Sequence, residues 1–171
     1  MGLGANLGDC RSTLTSALAA LARLGRIEAI STVYRTEPVG FLQQPDFWNL
    51  VVRLATSLEP AALLAAAHGI EAAAGRTRPF RDAPRTLDID LLLYDDLVLT
   101  QPGLRLPHPR LRERAFVLAP LAELDPELAH PATGERVRDL AAALAGAPGS
   151  RVEPLFPGAQ LLPASPDTTE P

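Results

Sequence analysis

The sequence contains no lysine, a single cysteine and no long apolar run. All 16 basic residues are therefore arginines, and Cys10 alone cannot form an internal disulfide bond. A membrane-spanning helix needs roughly 18 consecutive apolar residues, and no stretch approaches that length. The start of the chain also lacks the basic and apolar regions of a secretory signal. These absences predict a cytoplasmic protein with no membrane partner.

The charges are unevenly distributed along the chain. A formal net charge of -4 argues against non-specific binding to nucleic acid. Nevertheless, eight of the 16 arginines lie between Arg76 and Arg114. Guanidinium groups bind phosphate oxygens in a bidentate manner, so this cluster predicts a small anionic ligand. The alternative is a set of scattered, solvated surface charges.

The arginine-rich segment leads into two acidic residues at the start of an apolar run. We predict a strand from Leu87 to Tyr94, on which Asp88 and Asp90 share one face because they are two residues apart. The opposite face carries an apolar row made of Leu87, Ile89, Leu91 and Leu93. Two neighbouring carboxylates repel each other unless a cation lies between them. We therefore predict that Asp88 and Asp90 bind a divalent metal.

A second strand carries a pair of residues suited to a flat ligand. This strand is predicted from Phe47 to Thr56, after a loop rich in proline and glycine. Phe47 and Asn49 share one face, where an aromatic ring could stack on a heterocycle and a carboxamide could hydrogen-bond to its edge. Taken alone, such a pair is more often made of ordinary core and edge residues.

The order of the predicted elements indicates one α+β domain. The elements are a short strand running into a glycine turn at 1–8, a helix at 10–24, strands at 27–35 and 47–56, a helix from Pro60 to a cap at Gly75, the strand at 87–94, and helices at 115–124 and 136–145. Strand, helix, strand, strand, helix, strand is the βαββαβ pattern of a ferredoxin-like sandwich. Both of its helices would cover one sheet face, and the other face would carry the active site. We expect the domain to span 1–146 and the proline-rich segment 147–171 to be a largely disordered tail.

Six segments follow one another along the chain and read GANLGD, YRTEPVG, QPDFWN, IEAAAGRTR, APRTLDIDLLL and LPHPRLRERAFVLAPL. In their order and spacing they resemble the 6-hydroxymethyl-7,8-dihydropterin pyrophosphokinase family of folate biosynthesis. The most specific is APRTLDIDLLL, which holds the paired aspartates and an arginine shortly before them. The resemblance covers about residues 1–145. Phe47 stands where the family usually has tyrosine, which keeps the stacking surface and loses a hydroxyl.

This resemblance implies an ATP-dependent diphosphokinase. Such an enzyme transfers the β,γ-pyrophosphoryl group of ATP to the hydroxymethyl group of the pterin, releases AMP and uses two Mg²⁺ ions, which Asp88 and Asp90 would bind. The catalytic residues would be Arg76, Arg85 and Arg114, and the ATP contacts would come from Arg78, His108 and Glu71. The pterin would be bound by Thr36, Val39, Phe47, Asn49 and Phe116. We expect a monomer with no nucleic-acid partner.

Two other functions are compatible with the same residues. One is a nucleotidyl- or phosphotransferase that uses paired aspartates to act on another small alcohol. The other is a ferredoxin-like module that binds a nucleotide without turning it over. Reaction products distinguish these possibilities, because pyrophosphoryl transfer leaves AMP, phosphoryl transfer leaves ADP and nucleotidyl transfer leaves pyrophosphate.

Overall fold

The computed structural model describes residues 1–76 and 83–163. Within them, antiparallel strands and four α-helices confirm the predicted α+β class. The elements are β1 (Gly2–Ala5), α1 (Cys10–Leu21), β2 (Arg26–Ile30), β3 (Thr32–Thr36), β4 (Phe47–Ala55), α2 (Pro60–Ala73), β5 (Asp88–Asp90), β6 (Leu99–Gln101), β7 (Leu104–Leu106), α3 (Ala115–Leu124), α4 (Val137–Leu144) and β8 (Val152–Pro157). None of the helices in the described ranges has the length and apolarity needed to cross a membrane.

The main sheet has six strands. Five of them follow the order β5-β1-β4-β3-β8, and the sixth, β2, also pairs with β4. Strand β1 therefore lies between β4 and β5. Gly4 is opposite Asn49 on one side and Asp88 on the other, while Gly2 is opposite Asp90. This register brings the Asn49 carboxamide close to the carboxylates of Asp88 and Asp90, because the two residues of β1 between them are glycines.

The predicted strand at 27–35 is two strands, because Ser31 interrupts it. Ser31 is fully buried, and its backbone N–H donates to the Val51 carbonyl at 3.0 Å. The Val51 amide in turn donates to Ser31 Oγ at 2.9 Å. A side-chain oxygen thus takes the place of a backbone acceptor, which divides the segment into β2 and β3.

Strand β5 is shorter than the predicted strand, which extended to Tyr94. Its pairing with β1 ends where Asp90 meets Gly2. The chain beyond it remains buried: Leu91 packs in one core and Leu92 in a second core. A continuous apolar run in this segment therefore reflects burial on both sides, and not a longer strand.

The two cores lie on opposite faces of the sheet. Helices α1 and α2 pack on one face with Leu50 and Val52 of β4, whereas α3 and α4 pack on the other face with Val51. Alternate residues of β4 thus enter different cores. The sheet face that was predicted to be free is therefore partly covered by α3, which packs against Val51 of β4.

The segment after residue 147 is more ordered than its composition predicts. Strand β8 pairs antiparallel with β3 at the edge of the main sheet. Phe156 contacts Trp48 edge to face, with ring centres 5.5 Å apart. Prolines favour an irregular chain, yet an edge strand tolerates them because only one side of it must donate hydrogen bonds. The expectation of a largely disordered tail is therefore wrong for residues 152–161.

We predict that the end of the described chain contributes to the stability of the core. Leu161 is 2% exposed and packs in the core with α1, whereas the adjacent Leu162 is 37% exposed. Leu161→Ala should lower the free energy of unfolding by about 2–5 kcal/mol, because it leaves a cavity. Leu162→Ala should change it by less than about 0.5 kcal/mol. Urea unfolding of both variants measures this difference, and equal effects would contradict the packing of this segment.

Candidate active site

A pocket opens over β1, between β4, β5 and the start of α3. It contains about 670 Å³ of empty space, a volume that includes the open solvent at its mouth. The predicted site residues in its lining are Thr36, Val39, Phe47, Asn49, Arg85, Asp88, Asp90, Arg114 and Phe116. The fold therefore brings the predicted pterin residues, the predicted metal ligands and two predicted catalytic arginines into one pocket.

The carboxamide of Asn49 is fixed by its neighbours. Its Nδ2 donates to Thr36 Oγ1 at 2.7 Å, and both residues are buried. Gly4 lies directly across from it, and any side chain at that position would collide with Asn49 Oδ1. A glycine inside a strand often marks such a close approach. Asn49 is therefore held in one orientation at the floor of the pocket.

Two chains of carboxylate, guanidinium and aromatic ring form the walls of the pocket. Arg85 Nη1 donates to Asp88 Oδ2 at 2.7 Å, and the Arg85 guanidinium lies 5.1 Å from the centre of the Phe47 ring. Likewise, Arg114 Nη1 donates to Asp90 Oδ2 at 2.6 Å and lies 5.5 Å from the centre of the Phe116 ring. We call these the Asp–Arg–Phe chains. Each one connects an anionic group to an aromatic face through a cation.

Beneath the pocket, Glu71 and Arg76 support strand β5. Glu71 is 4% exposed, and its Oε1 accepts a hydrogen bond from the Ile89 amide at 2.7 Å. Arg76 forms ion pairs with both Glu71 and Asp88. Burial raises the pKa of Glu71, while the hydrogen bond from Ile89 and the charge of Arg76 act in the opposite direction. Neither Glu71 nor Arg76 lines the pocket, so both lie one layer below it.

His108 is oriented by a hydrogen bond from the chain that follows it. It follows a cis peptide bond between Leu106 and Pro107, and its Nδ1 accepts a hydrogen bond from the Arg110 amide at 3.1 Å. Its Nε2 lies 3.9 Å from Asp90 Oδ2. Burial lowers the pKa of His108, which favours the neutral ring. Because Nδ1 is an acceptor, the proton of the neutral ring is on Nε2, facing Asp90.

A second pocket lies on the other side of Asp90. It is lined by Asp90, His68, Gln101, Arg105 and His108, together with apolar residues around them. Asp90 lines both pockets, so the two are adjacent. His68 and Arg105 were not among the predicted site residues, since an isolated histidine on a helix and an arginine in a short hairpin carry no distinctive spacing.

Other residues that line the pocket also escaped prediction. Gly4, Glu37 and Arg110 line the first pocket. The glycine pattern of β1 and the alternating arginines at 110, 112 and 114 were the available signals. Arg78, a predicted ATP contact, falls in 77–82 and lies outside the described residues.

The loop between β3 and β4 is attached to the site by two residues. Asn6 donates from Nδ2 to Gln44 Oε1 at 2.8 Å and to the Pro45 carbonyl at 2.9 Å, while its Oδ1 accepts from the Arg85 amide at 2.8 Å. At the other side, the Arg151 guanidinium pairs with Asp46 at 2.9 Å. The loop that contains Val39 is thus connected both to Arg85 and to the residues before β8.

The residues that could hold a metal are Asp88 and Asp90. Within residues 1–76 and 83–163, no group of three or more His, Cys, Asp and Glu side chains is arranged for a metal. Mg²⁺, however, commonly takes only one or two protein carboxylates and completes its coordination with water and phosphate oxygens. Two carboxylates on one face of β5 therefore fit an Mg²⁺ ion that arrives with a nucleotide.

Comparison with known proteins gives a consistent result. Residues 1–126 match the family described as 7,8-dihydro-6-hydroxymethylpterin-pyrophosphokinase (HPPK). The chain is 43% identical over 159 residues to the 2-amino-4-hydroxy-6-hydroxymethyldihydropteridine pyrophosphokinase of Pseudomonas aeruginosa, covering 92% of this chain and 95% of that protein. It is 44% identical to the protein of the same name from Methylorubrum extorquens, covering 90% and 97%. The protein of this name from Aquifex aeolicus is 42% identical, with 77% and 82% covered.

Solved structures share the fold at lower sequence identity. The wild-type Plasmodium falciparum HPPK-DHPS with STZ-DHP superposes with a TM-score of 0.68 at 16% identity. An HPPK-DHPS in complex with substrates gives a TM-score of 0.64, also at 16% identity. Both cover 83% of this chain, which spans only 42% of either structure's chain. At this identity, the likeness supports the fold alone.

The fold and the close relatives define the class of this protein as a pyrophosphokinase, a kinase-type transferase. In particular, the chain belongs to the 7,8-dihydro-6-hydroxymethylpterin-pyrophosphokinase family, whose place is in folate biosynthesis. The resemblance found in the sequence is thereby confirmed.

We predict that Glu71 stabilises the fold by supporting β5. Glu71→Ala removes the acceptor of the Ile89 amide and leaves buried Arg76 with one partner fewer, which should lower the free energy of unfolding by about 3–5 kcal/mol. Glu71→Gln keeps an acceptor and should cost less. The matched control is Glu113→Ala, since that side chain is 66% exposed. Chemical denaturation compares the three variants, and a stability of Glu71→Ala equal to that of the control would refute this role.

Proposed function

We propose that the protein catalyses Mg²⁺-dependent transfer of pyrophosphate from ATP to the hydroxymethyl group of 6-hydroxymethyl-7,8-dihydropterin and releases AMP. One observation carries this proposal: a single pocket brings together Asp88, Asp90, Arg85 and Arg114 with Phe47, Asn49 and Phe116. The first set suits a metal-bound polyphosphate, and the second suits a flat heterocycle. The relatives at 42–44% identity are named for this pterin and for pyrophosphokinase activity.

In this proposal the acceptor occupies the aromatic side of the pocket. Phe47 and Phe116 stack on the two faces of the pterin ring. One Nδ2 hydrogen of Asn49 is donated to Thr36, and the carboxamide forms hydrogen bonds to the ring edge with its other Nδ2 hydrogen and its Oδ1. Because Thr36 and Gly4 fix the carboxamide, little conformational entropy is lost when the ring binds. Val39, on the exposed loop after β3, closes the side of the pocket.

The donor side begins with Asp88 and Asp90, which would bind two Mg²⁺ ions. When bound, Mg²⁺ neutralises the triphosphate and favours in-line attack. Arg85 and Arg114 already pair with these carboxylates. Phosphate oxygens are negatively charged acceptors like the carboxylate oxygens, so they can also pair with the guanidinium groups. We propose that both arginines contact the transferred group, and that Arg76 and Glu71 act by positioning β5.

The second pocket is the proposed site of the nucleoside. Its lining includes His68, Arg105 and His108, and it shares Asp90 with the acceptor pocket. A nucleoside in this pocket would direct its phosphates past His108 toward Asp90. His108, as a neutral ring, would donate a hydrogen bond from Nε2 to an anionic oxygen.

Further parts of the proposal concern the fold and state of the enzyme. We propose the ferredoxin-like βαββαβ layout, which is supported by the strand order β5-β1-β4-β3 with α1 and α2 on one face. We also propose that the active enzyme is a cytoplasmic monomer.

We expect the purified protein to form AMP from ATP when Mg²⁺ and the pterin are both present. Omission of Mg²⁺ or addition of a chelator should abolish this product. Chromatography of the nucleotides distinguishes the proposal from its alternatives, because ADP would indicate phosphoryl transfer and pyrophosphate would indicate nucleotidyl transfer. ATP binding without any product would favour a non-catalytic module.

We predict that Asp90→Asn folds normally and lowers kcat by on the order of a hundredfold or more, because it removes a charged metal ligand. Asparagine retains an oxygen for Arg114, so the melting temperature should change little. Asp96→Asn provides the control, since Asp96 lies on the surface just after the same segment. Near-normal turnover of Asp90→Asn would contradict the assignment of this carboxylate.

We predict that Asn49→Ala raises the KM for the pterin by on the order of tenfold and leaves the KM for ATP unchanged within about twofold. The variant loses the groups that would read the ring edge. Thr36→Val removes only the anchor of Asn49 and should have a smaller effect on the same KM. Steady-state kinetics with each substrate varied separately tests this, and an equal rise in both KM values would argue against a role in acceptor binding.

A further inference from the structure

We propose that Arg110 binds the pyrophosphoryl group after its transfer to the acceptor. This inference rests on the proposed function, because it assigns an additional specificity residue to the same pocket. Arg110 lines the pocket beside Asp90, Arg114 and Phe116. It therefore lies where the donor side meets the aromatic side.

The backbone of Arg110 is held by its neighbours. Its amide donates to His108 Nδ1 at 3.1 Å, and its carbonyl accepts from the Glu113 amide at 3.2 Å. The next residue, Leu111, is 1% exposed and packs in the core with α3. The starting point of the Arg110 side chain is thus fixed relative to His108, which lines the adjacent nucleoside pocket.

The guanidinium of Arg110 differs from those of Arg85 and Arg114 in its partners. Each of those two donates to an aspartate at 2.7 Å or less. Within the described part of the chain, the carboxylate paired with Arg110 is that of Glu113, at 3.6 Å between Nε and Oε2, and the Glu113 side chain is 66% exposed. That distance exceeds a normal hydrogen bond, and exposed pairs of this kind bind weakly. The donors of Arg110 are therefore available to a ligand.

The balance of charges in the pocket also indicates that Arg110 is available to bind an anion. The described charged residues in the lining are Arg85, Arg110, Arg114, Glu37, Asp88 and Asp90. Arg85 and Arg114 are balanced by the two aspartates, and Glu37 accepts from the Arg151 amide outside the pocket. Arg110 thus contributes a positive charge that no lining carboxylate neutralises at hydrogen-bond distance. A pyrophosphoryl group on the acceptor would supply the missing negative charge.

Arg112 provides a matched control two residues away. Its guanidinium pairs with Glu135 at 2.7 Å and does not line the pocket. Replacing either arginine by glutamine removes one charge from the same short segment. Only the change at position 110 removes a charge from the pocket.

The experiment measures binding of the pterin and of its pyrophosphorylated product to wild type, Arg110→Gln, Arg110→Lys and Arg112→Gln by titration calorimetry. We expect Arg110→Gln to weaken product binding on the order of tenfold, to leave pterin binding within about twofold and to keep the wild-type unfolding midpoint. Arg110→Lys should recover part of the product affinity, and Arg112→Gln should match wild type. Unchanged product binding by Arg110→Gln would overturn the proposal, as would equal loss of both ligands.

A second titration separates this inference from the proposed function. Inorganic pyrophosphate, as a probe, requires neither pterin recognition nor turnover. If wild type forms no AMP, the proposed function fails, but weaker pyrophosphate binding by Arg110→Gln than by Arg112→Gln would still support an anion site at Arg110. Equal binding of pyrophosphate by the two variants would overturn it.

Discussion

The organisation of the pocket depends on the pairing of two arginines with two aspartates on one short strand. Asp88 and Asp90 share a face of β5, so their charges would repel each other if nothing lay between them. Arg85 and Arg114 approach from opposite sides, one from the segment before β5 and one from the start of α3. Each also lies over a phenylalanine ring, so the Asp–Arg–Phe chains join charged and aromatic regions. Through the arginines, the two carboxylates are thus linked to the aromatic walls of the pocket.

Strand β5, which carries both aspartates, is supported from below by two buried charged residues. Glu71 accepts the Ile89 amide, and Arg76 connects Glu71 to Asp88. A buried ion pair contributes little net stability, since its attraction is offset by desolvation. Its value here is orientation, because Arg76 joins Glu71 to Asp88 and thereby connects α2 to β5. The same reasoning applies to Asn49, which Thr36 and Gly4 hold in a single orientation.

The two pockets are adjacent parts of one surface. Asp90 lines both pockets, and His108 and Arg110 lie on either side of the boundary between them. Because Arg105 lines the second pocket and Arg110 lines the first, a group that passes from one pocket to the other would remain near positive charge. Helix α3 completes this arrangement, because it covers the apolar part of the sheet with its body and leaves its start, with Arg114 and Phe116, facing the pocket.

The sequence by itself determined the α+β class, helices such as 115–124, and most of the residues that line the pocket. Local signals suffice for part of this: alternation puts Asp88 and Asp90 on one face, and Pro60 begins a helix at its favoured position. The family resemblance supplied most of the other pocket residues. Tertiary structure decided what depends on contacts between distant segments. Arg110 and Arg112 are equivalent in the sequence, yet one faces the pocket and the other pairs with Glu135. Strand β8 likewise becomes a strand because β3 offers it an edge, while its prolines predict the opposite. Partners far apart in the chain leave no periodic pattern, so only the folded protein selects them.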